Sequence, residues 1–186
     1  MFTRMLIAAL CSMAAGAAFA LQPAVAPFAA TGTLQYAFTA DDHADDMIIA
    51  AIDAAQGQVL MQAYSLTHRR IADALIRARS RGVEVAIIAD QEQSRANPAM
   101  LRELARAGIP LLFDAQHAAA HNKVIIIDAG RGDCAIITGS FNFTYAAQHR
   151  NAENALILRG NPPLCAAYFN NWRRHQVHSH APAQAR

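Results

Sequence analysis

The chain has 186 residues, 54% of them apolar, and a formal net charge of +2 at neutral pH. That length suits a single domain whose core needs no disulfide or metal staples. Nearly balanced charge argues against a module that holds nucleic acid by bulk positive charge alone.

The first residues, MFTRMLIAALCSMAAGAAFALQP, place Arg4 before an uncharged apolar stretch and then Ala18-Phe19-Ala20. This is the basic start, apolar centre and small-x-small ending of a secretory signal, so residues 1–20 are expected to be cleaved. The expected destination is the periplasm or the medium. An uncleaved membrane anchor is the alternative, because the apolar run approaches a bilayer-spanning length. Residues 21–32 read as a Pro/Ala-rich linker, 33–176 as one catalytic domain and 177–186 as a flexible His/Ala tail.

Strand and helix signals alternate along the domain. TLQYAF (33–38) reads as a strand, and DDHADDMIIAAIDAA (41–55) as a helix with acids in its first turn, where the dipole favours them. QVLMQAYSL (58–66) is strand-like, and RRIADALIRARSRG (69–82) has helical spacing closed by Gly82. VEVAIIAD (83–90) is a strand, and NPAMLRELARAG (97–108) a helix with Pro98 near its start. IPLLF (109–113), KVIIID (123–128), CAIIT (134–138) and NALIL (154–158) are four further short strands. PLCAAYFNNWRRH (163–175) closes the domain as an amphipathic helix. Strands separated by helices predict an α/β fold, with a mixed sheet flanked by helices on both faces. Cys134 and Cys165 admit either a disulfide or two buried thiols.

One stretch carries chemistry. Lys123 is the only lysine in a chain whose other permanent cations are arginine, and it follows His121 by two residues. On a strand these two side chains share a face. Asp128 has the opposite parity and lies roughly 23 Å from His121 at strand rise, so it is expected to bind turn amides of the following hairpin. The chain then returns to Gly139-Ser140-Phe141-Asn142, beside His121 and Lys123. Gly139 would permit close approach of a ligand or another backbone. A phosphodiester needs its charge neutralised, its oxygens held by donors and a nucleophile in line. Lys123 supplies a compact cation, Asn142 an amide, Ser140 a hydroxyl, and His121 a nucleophile or acid–base group. This chemistry requires no cofactor and no metal.

His121-x-Lys123, Asp128 and Gly139-Ser140-x-Asn142 together resemble the HKD signature of the phospholipase D superfamily. The flanking stretches LMQAYSLT, RGVEVAIIAD and SFNFTYAAQHRNAENALIL are similar to its short, single-motif bacterial endonucleases. The resemblance implies a sandwich fold and a phosphohistidine formed on His121, with Lys123, Ser140 and Asn142 holding phosphate. It also implies that Glu153 orients the histidine. The spacing from Asp128 to Gly139 is longer than is usual in that family. Extra residues shared evenly between hairpin arms keep each side chain on its face, so a longer loop at AGRGDC and an intact site are expected.

Other candidates carry less. His149 reads as a neighbouring surface histidine, and HQVHSH as a solvated tail with some capacity for metal. Gly139-Ser140-Phe141-Asn142 lacks the second glycine of a nucleophile elbow, which excludes a hydrolase triad there. Arg69, Arg70, Arg77, Arg79 and Arg81 form either a solvated face or a track for a nucleic-acid backbone. Three functions fit: a nonspecific endonuclease cutting DNA and also RNA, a lipid phosphodiesterase acting on phospholipid, or a silent nucleic-acid-binding module. Because the chain offers one His-x-Lys motif, the endonuclease reading expects a homodimer that pools two motifs in one cleft.

Overall fold

The computed structural model describes residues 26–181; the signal-like segment 1–20 lies outside them. One seven-stranded sheet has the order β1-β7-β6-β5-β2-β3-β4. Its strands are β1 (Thr33–Phe38), β2 (Gln58–Ala63), β3 (Glu84–Asp90), β4 (Leu111–Asp114), β5 (Lys123–Ile127), β6 (Ala135–Gly139) and β7 (Asn154–Arg159). β2, β3 and β4 run parallel, joined by helical crossovers, and the remaining pairings are antiparallel. The helices are α1 (Ala44–Asp53), α2 (Arg69–Ser80), α3 (Gln91–Ala96), α4 (Pro98–Arg106), α5 (Tyr145–His149) and α6 (Pro162–His178).

The unbroken apolar run of β5 follows from its place between two packed layers. Ile125 and Ile127 enter a core with Met61, Ile87, Ile137 and Ile157, under Ile48 and Ile52 of α1, Leu75 of α2 and Leu104 of α4. Val124 and Ile126 face the opposite way, into a smaller core of Leu60, Ile88 and Ile136 covered by Cys165 and Trp172 of α6. The Trp172 indole donates to the Met61 carbonyl at 3.2 Å, which satisfies its polar edge in the core. Helices therefore cover both faces, as the alternation predicted.

Two short helices were not legible in the periodicity. α3 is capped by the Asp90 carboxylate, which accepts from the Gln93 amide at 2.8 Å, and α5 by Thr144, which accepts from Ala147 at 3.1 Å. Helices this short show no apolar period, so their caps were the signal. The expected tail at 177 needs correction. α6 continues to His178, and His180 then exchanges two backbone hydrogen bonds with Phe113 at 2.8 and 3.1 Å. The chain is held there because β4 is an edge strand with donors and acceptors to fill. Cys134 and Cys165 are joined by a disulfide that ties β6's entry to α6.

Candidate active site

The parallel strands β2 and β3 end where antiparallel β5 begins, and His121 and Lys123 sit at that end of the sheet. The Lys123 Cα pairs with Ala63, and the Tyr64 amide donates to the Asn122 carbonyl at 2.8 Å. The β5–β6 register, Ile125 opposite Ile137, carries forward to place Gly139 opposite Lys123. Ser140 and Asn142 follow Gly139, so the hairpin brings the second half of the motif to the same end of the sheet as the first. The β5–β6 loop takes up the extra residues without disturbing this register.

Gly139 serves a backbone. A Cβ there would lie 2.3 Å from the Asn154 carbonyl oxygen. Only glycine lets β7 close on β6 at this point. The consequence is local: the Ser140 hydroxyl accepts from the Asn154 backbone amide at 3.0 Å and from its side-chain amide at 3.3 Å. Ser140 is thus fixed by two donors with its own proton free to point elsewhere.

The Lys123 ammonium approaches the His121 ring nitrogens at 2.9 and 3.1 Å and donates to the His121 carbonyl at 2.9 Å. It also lies 4.8 Å from the centre of the Tyr64 ring, which in turn packs 4.3 Å from the imidazole. Tyr64 therefore braces both groups, and no spacing in the sequence singled it out. His121 is exposed while Lys123 is only 8% exposed. Burial pushes the lysine pKa below its ordinary value of 10.5, and nearby Glu153 partly restores it. Deprotonation removes the cation, so turnover should fall as pH rises through a value below that of free lysine. A pH–rate profile checks this. An alkaline limb at or above 10.5 would contradict it.

Glu153 departs from expectation. Its carboxylate accepts from the Asn151 side chain at 2.9 Å and makes no hydrogen bond to His121. The turn entering β7 holds it away, with its backbone amide on the Thr39 hydroxyl at 3.0 Å. It acts on the site through charge, by way of Lys123. The Asn142 Oδ1 is buried without a partner among the described residues.

Asp128 is structural, though at a different turn. Its carboxylate accepts from the backbone amides of Gln56, Gly57 and Gln58 at 2.9, 2.6 and 2.8 Å. Those residues lead into β2 rather than into the hairpin that follows. The reason is the antiparallel pairing: Ile127 lies opposite Val59, so the next residue meets the start of β2. The three amides hold the Asp128 carboxyl below its usual range despite burial. In the following hairpin only its backbone carbonyl takes part, accepting from the Arg131 amide at 3.1 Å.

The arginine face of α2 is largely neutralised. Arg69 pairs with Asp73 and Glu103, Arg70 with Asp45 and Asp46, and Arg77 and Arg81 with Asp53. It binds this protein's own acids rather than offering a free track. His149 is exposed, packs on Tyr145 at 4.2 Å and lies beside Asp45 and His68.

Fold and site together define an α/β protein that presents an exposed histidine beside a buried cation, suited to an anionic ester. Residues 48–175 match the family model described as cardiolipin synthase, phospholipase D-like domain. A protein named phospholipase D from Rickettsia conorii is 42% identical over 135 residues, covering 73% of this chain and 65% of that protein. The chain thus spans just under two thirds of the length of these curated relatives. A mitochondrial cardiolipin hydrolase of Chlamydomonas reinhardtii is 33% identical, covering 56% of this chain and 45% of its own. The crystal structure of Nuc, a phospholipase D family member from Salmonella typhimurium, superposes with a TM-score of 0.76 at 34% identity. It covers 81% of this chain and 98% of Nuc. The chain belongs to the phospholipase D superfamily of phosphodiesterases.

Proposed function

We propose that this protein is a metal-independent endonuclease that cuts DNA, and RNA as well, through a phosphohistidine at a site shared by two copies. The observation that carries the reading is the contact of the buried Lys123 ammonium with the exposed His121 ring. Lys123 and the Ser140 hydroxyl would hold the non-bridging oxygens while a ring nitrogen of His121 attacks phosphorus. A P–N bond forms as the P–O bond to the leaving alkoxide breaks, and that alkoxide needs a proton. In the second step water attacks, the P–N bond breaks and the imidazole is restored.

Among the described residues of one chain, no second histidine faces the first. We assign the acid to His121 of a second copy related by a two-fold axis. An apolar stripe supports such an association. Leu34, Tyr36 and Phe38 are 59%, 61% and 57% exposed on one face of edge strand β1, a patch that an oligomer would bury. Exposed Arg150, three residues before Glu153, forms no ion pair among the described residues and suits a flanking phosphate. The signal-like N-terminus and the Cys134–Cys165 disulfide support a site of action outside the cytoplasm.

A lipid phosphodiester is the second reading, favoured by the name phospholipase D carried by the Rickettsia relatives. Incubating EDTA-treated protein with supercoiled plasmid, RNA and phospholipid vesicles in parallel separates the two. Plasmid nicking that survives the chelator is expected. Headgroup release with intact plasmid would transfer the site to lipid, and loss on chelation restored by magnesium would remove the phosphohistidine mechanism.

A further inference from the structure

At the same end of the sheet as His121 but three strands across, three histidines converge on one buried carboxylate. Asp114 ends β4 with its side chain fully enclosed; His117 lies in the loop that follows, and His175 and His178 are one turn apart near the end of α6. Their nitrogens approach the same oxygen, Oδ2 of Asp114: His117 Nδ1 at 3.0 Å, His175 Nδ1 at 2.9 Å and His178 Nε2 at 3.1 Å. The ring centres are 5.1, 5.1 and 5.3 Å apart, a nearly equilateral triangle. The other oxygen, Oδ1, accepts from the Gln116 amide at 3.0 Å, which fixes the carboxylate's orientation, and lies 3.1 Å from His117 Nδ1.

We propose that Asp114, His117, His175 and His178 form a structural site for a divalent transition metal, with zinc as its occupant. Three imidazole nitrogens and one carboxylate, four potential ligand atoms, crowd a single point, with His117 Nδ1 straddling both carboxylate oxygens. A cation among the four ligands resolves the crowding. Tetrahedral zinc with bonds of roughly 2.0–2.1 Å to nitrogen and oxygen would set ligand atoms about 3.3 Å apart. The observed nitrogen–oxygen separations need to open by only a few tenths of an ångström. Three imidazoles and one carboxylate are ligands that zinc accepts, and four protein ligands leave no open position, so the site is structural. The amide on Oδ1 supplies the outer contact that orients a ligating carboxylate.

Partly exposed histidines give the ion a way in, with side-chain exposures of 45%, 15% and 24% for His117, His175 and His178. Bound there, it would clip the last turn of α6 to the edge strand, next to the His180–Phe113 pairing. The two other groupings among the described residues, Asp45 with His68 and His149, and His43 with Asp45 and Asp46, are poor competitors. The Arg70 guanidinium already occupies the Asp45 carboxylate at 2.8 Å and would repel a metal.

The test uses untagged protein stripped with EDTA, dialysed and titrated with cobalt(II). One equivalent should bind with the intense visible absorption of tetrahedral cobalt and be displaced by zinc. Zinc alone should raise the unfolding midpoint by roughly 5 °C. His175→Ala/His178→Ala should lose both responses. His117→Ala, confined to a loop, should weaken zinc binding at least tenfold and decides the matter if the double variant does not fold. No tetrahedral cobalt spectrum, or unchanged zinc affinity in His117→Ala, overturns the site. Either failure leaves EDTA-resistant plasmid cleavage standing, because the cluster takes no part in that chemistry.

Discussion

Replacing His121 by alanine should reduce turnover at least about a thousandfold, because the variant retains phosphate binding but has no atom to form the covalent intermediate. The side chain is exposed and anchors no core packing, so circular dichroism and the unfolding midpoint should be unchanged. His149→Ala provides the control. That side chain is also an exposed imidazole near the motif in sequence, but its contact is with Tyr145. It should keep activity within about twofold of the parent. Comparable losses at both positions would place the chemistry elsewhere.

Mixing native and His121→Ala chains gives the second large effect. Each site in a shared cleft needs one histidine as nucleophile and the other as acid and later base. A heterodimer retains one histidine, which cannot serve both roles in the same displacement, and should fall to a few percent of the native rate. Purification by two different tags, followed by single-turnover measurement, isolates the mixed species. Half the native activity would show that each chain works alone, and full turnover by dilute monomer would show the same.

Much of this site could be read from the chain because the chemistry lies on consecutive strand residues. His121 and Lys123 share a face by parity, and β5 and β6 form one hairpin, so Gly139 and Ser140 could be placed without tertiary knowledge. The apolar run from Val124 to Ile127 likewise marked a strand. What escaped depends on contacts between distant segments. Glu153 lies in a turn whose hydrogen bonds to Thr39 and Asn151 no local pattern encodes. Asp128 was placed at a turn, but which turn depended on β5 lying beside β2. Tyr64 reaches His121 for the same reason. The histidines of α6 looked like tail residues because their partner, Asp114, lies 61 residues earlier at a strand end.

A double displacement through His121 leaves its mark in the stereochemistry at phosphorus. Each in-line displacement inverts the configuration, so attack by histidine and then by water returns it. The substrate should carry a stereodefined phosphorothioate at a single cleavable linkage and be turned over in isotopically labelled water. Overall retention of configuration is expected. Inversion would mean that water attacks phosphorus directly, with no phosphohistidine.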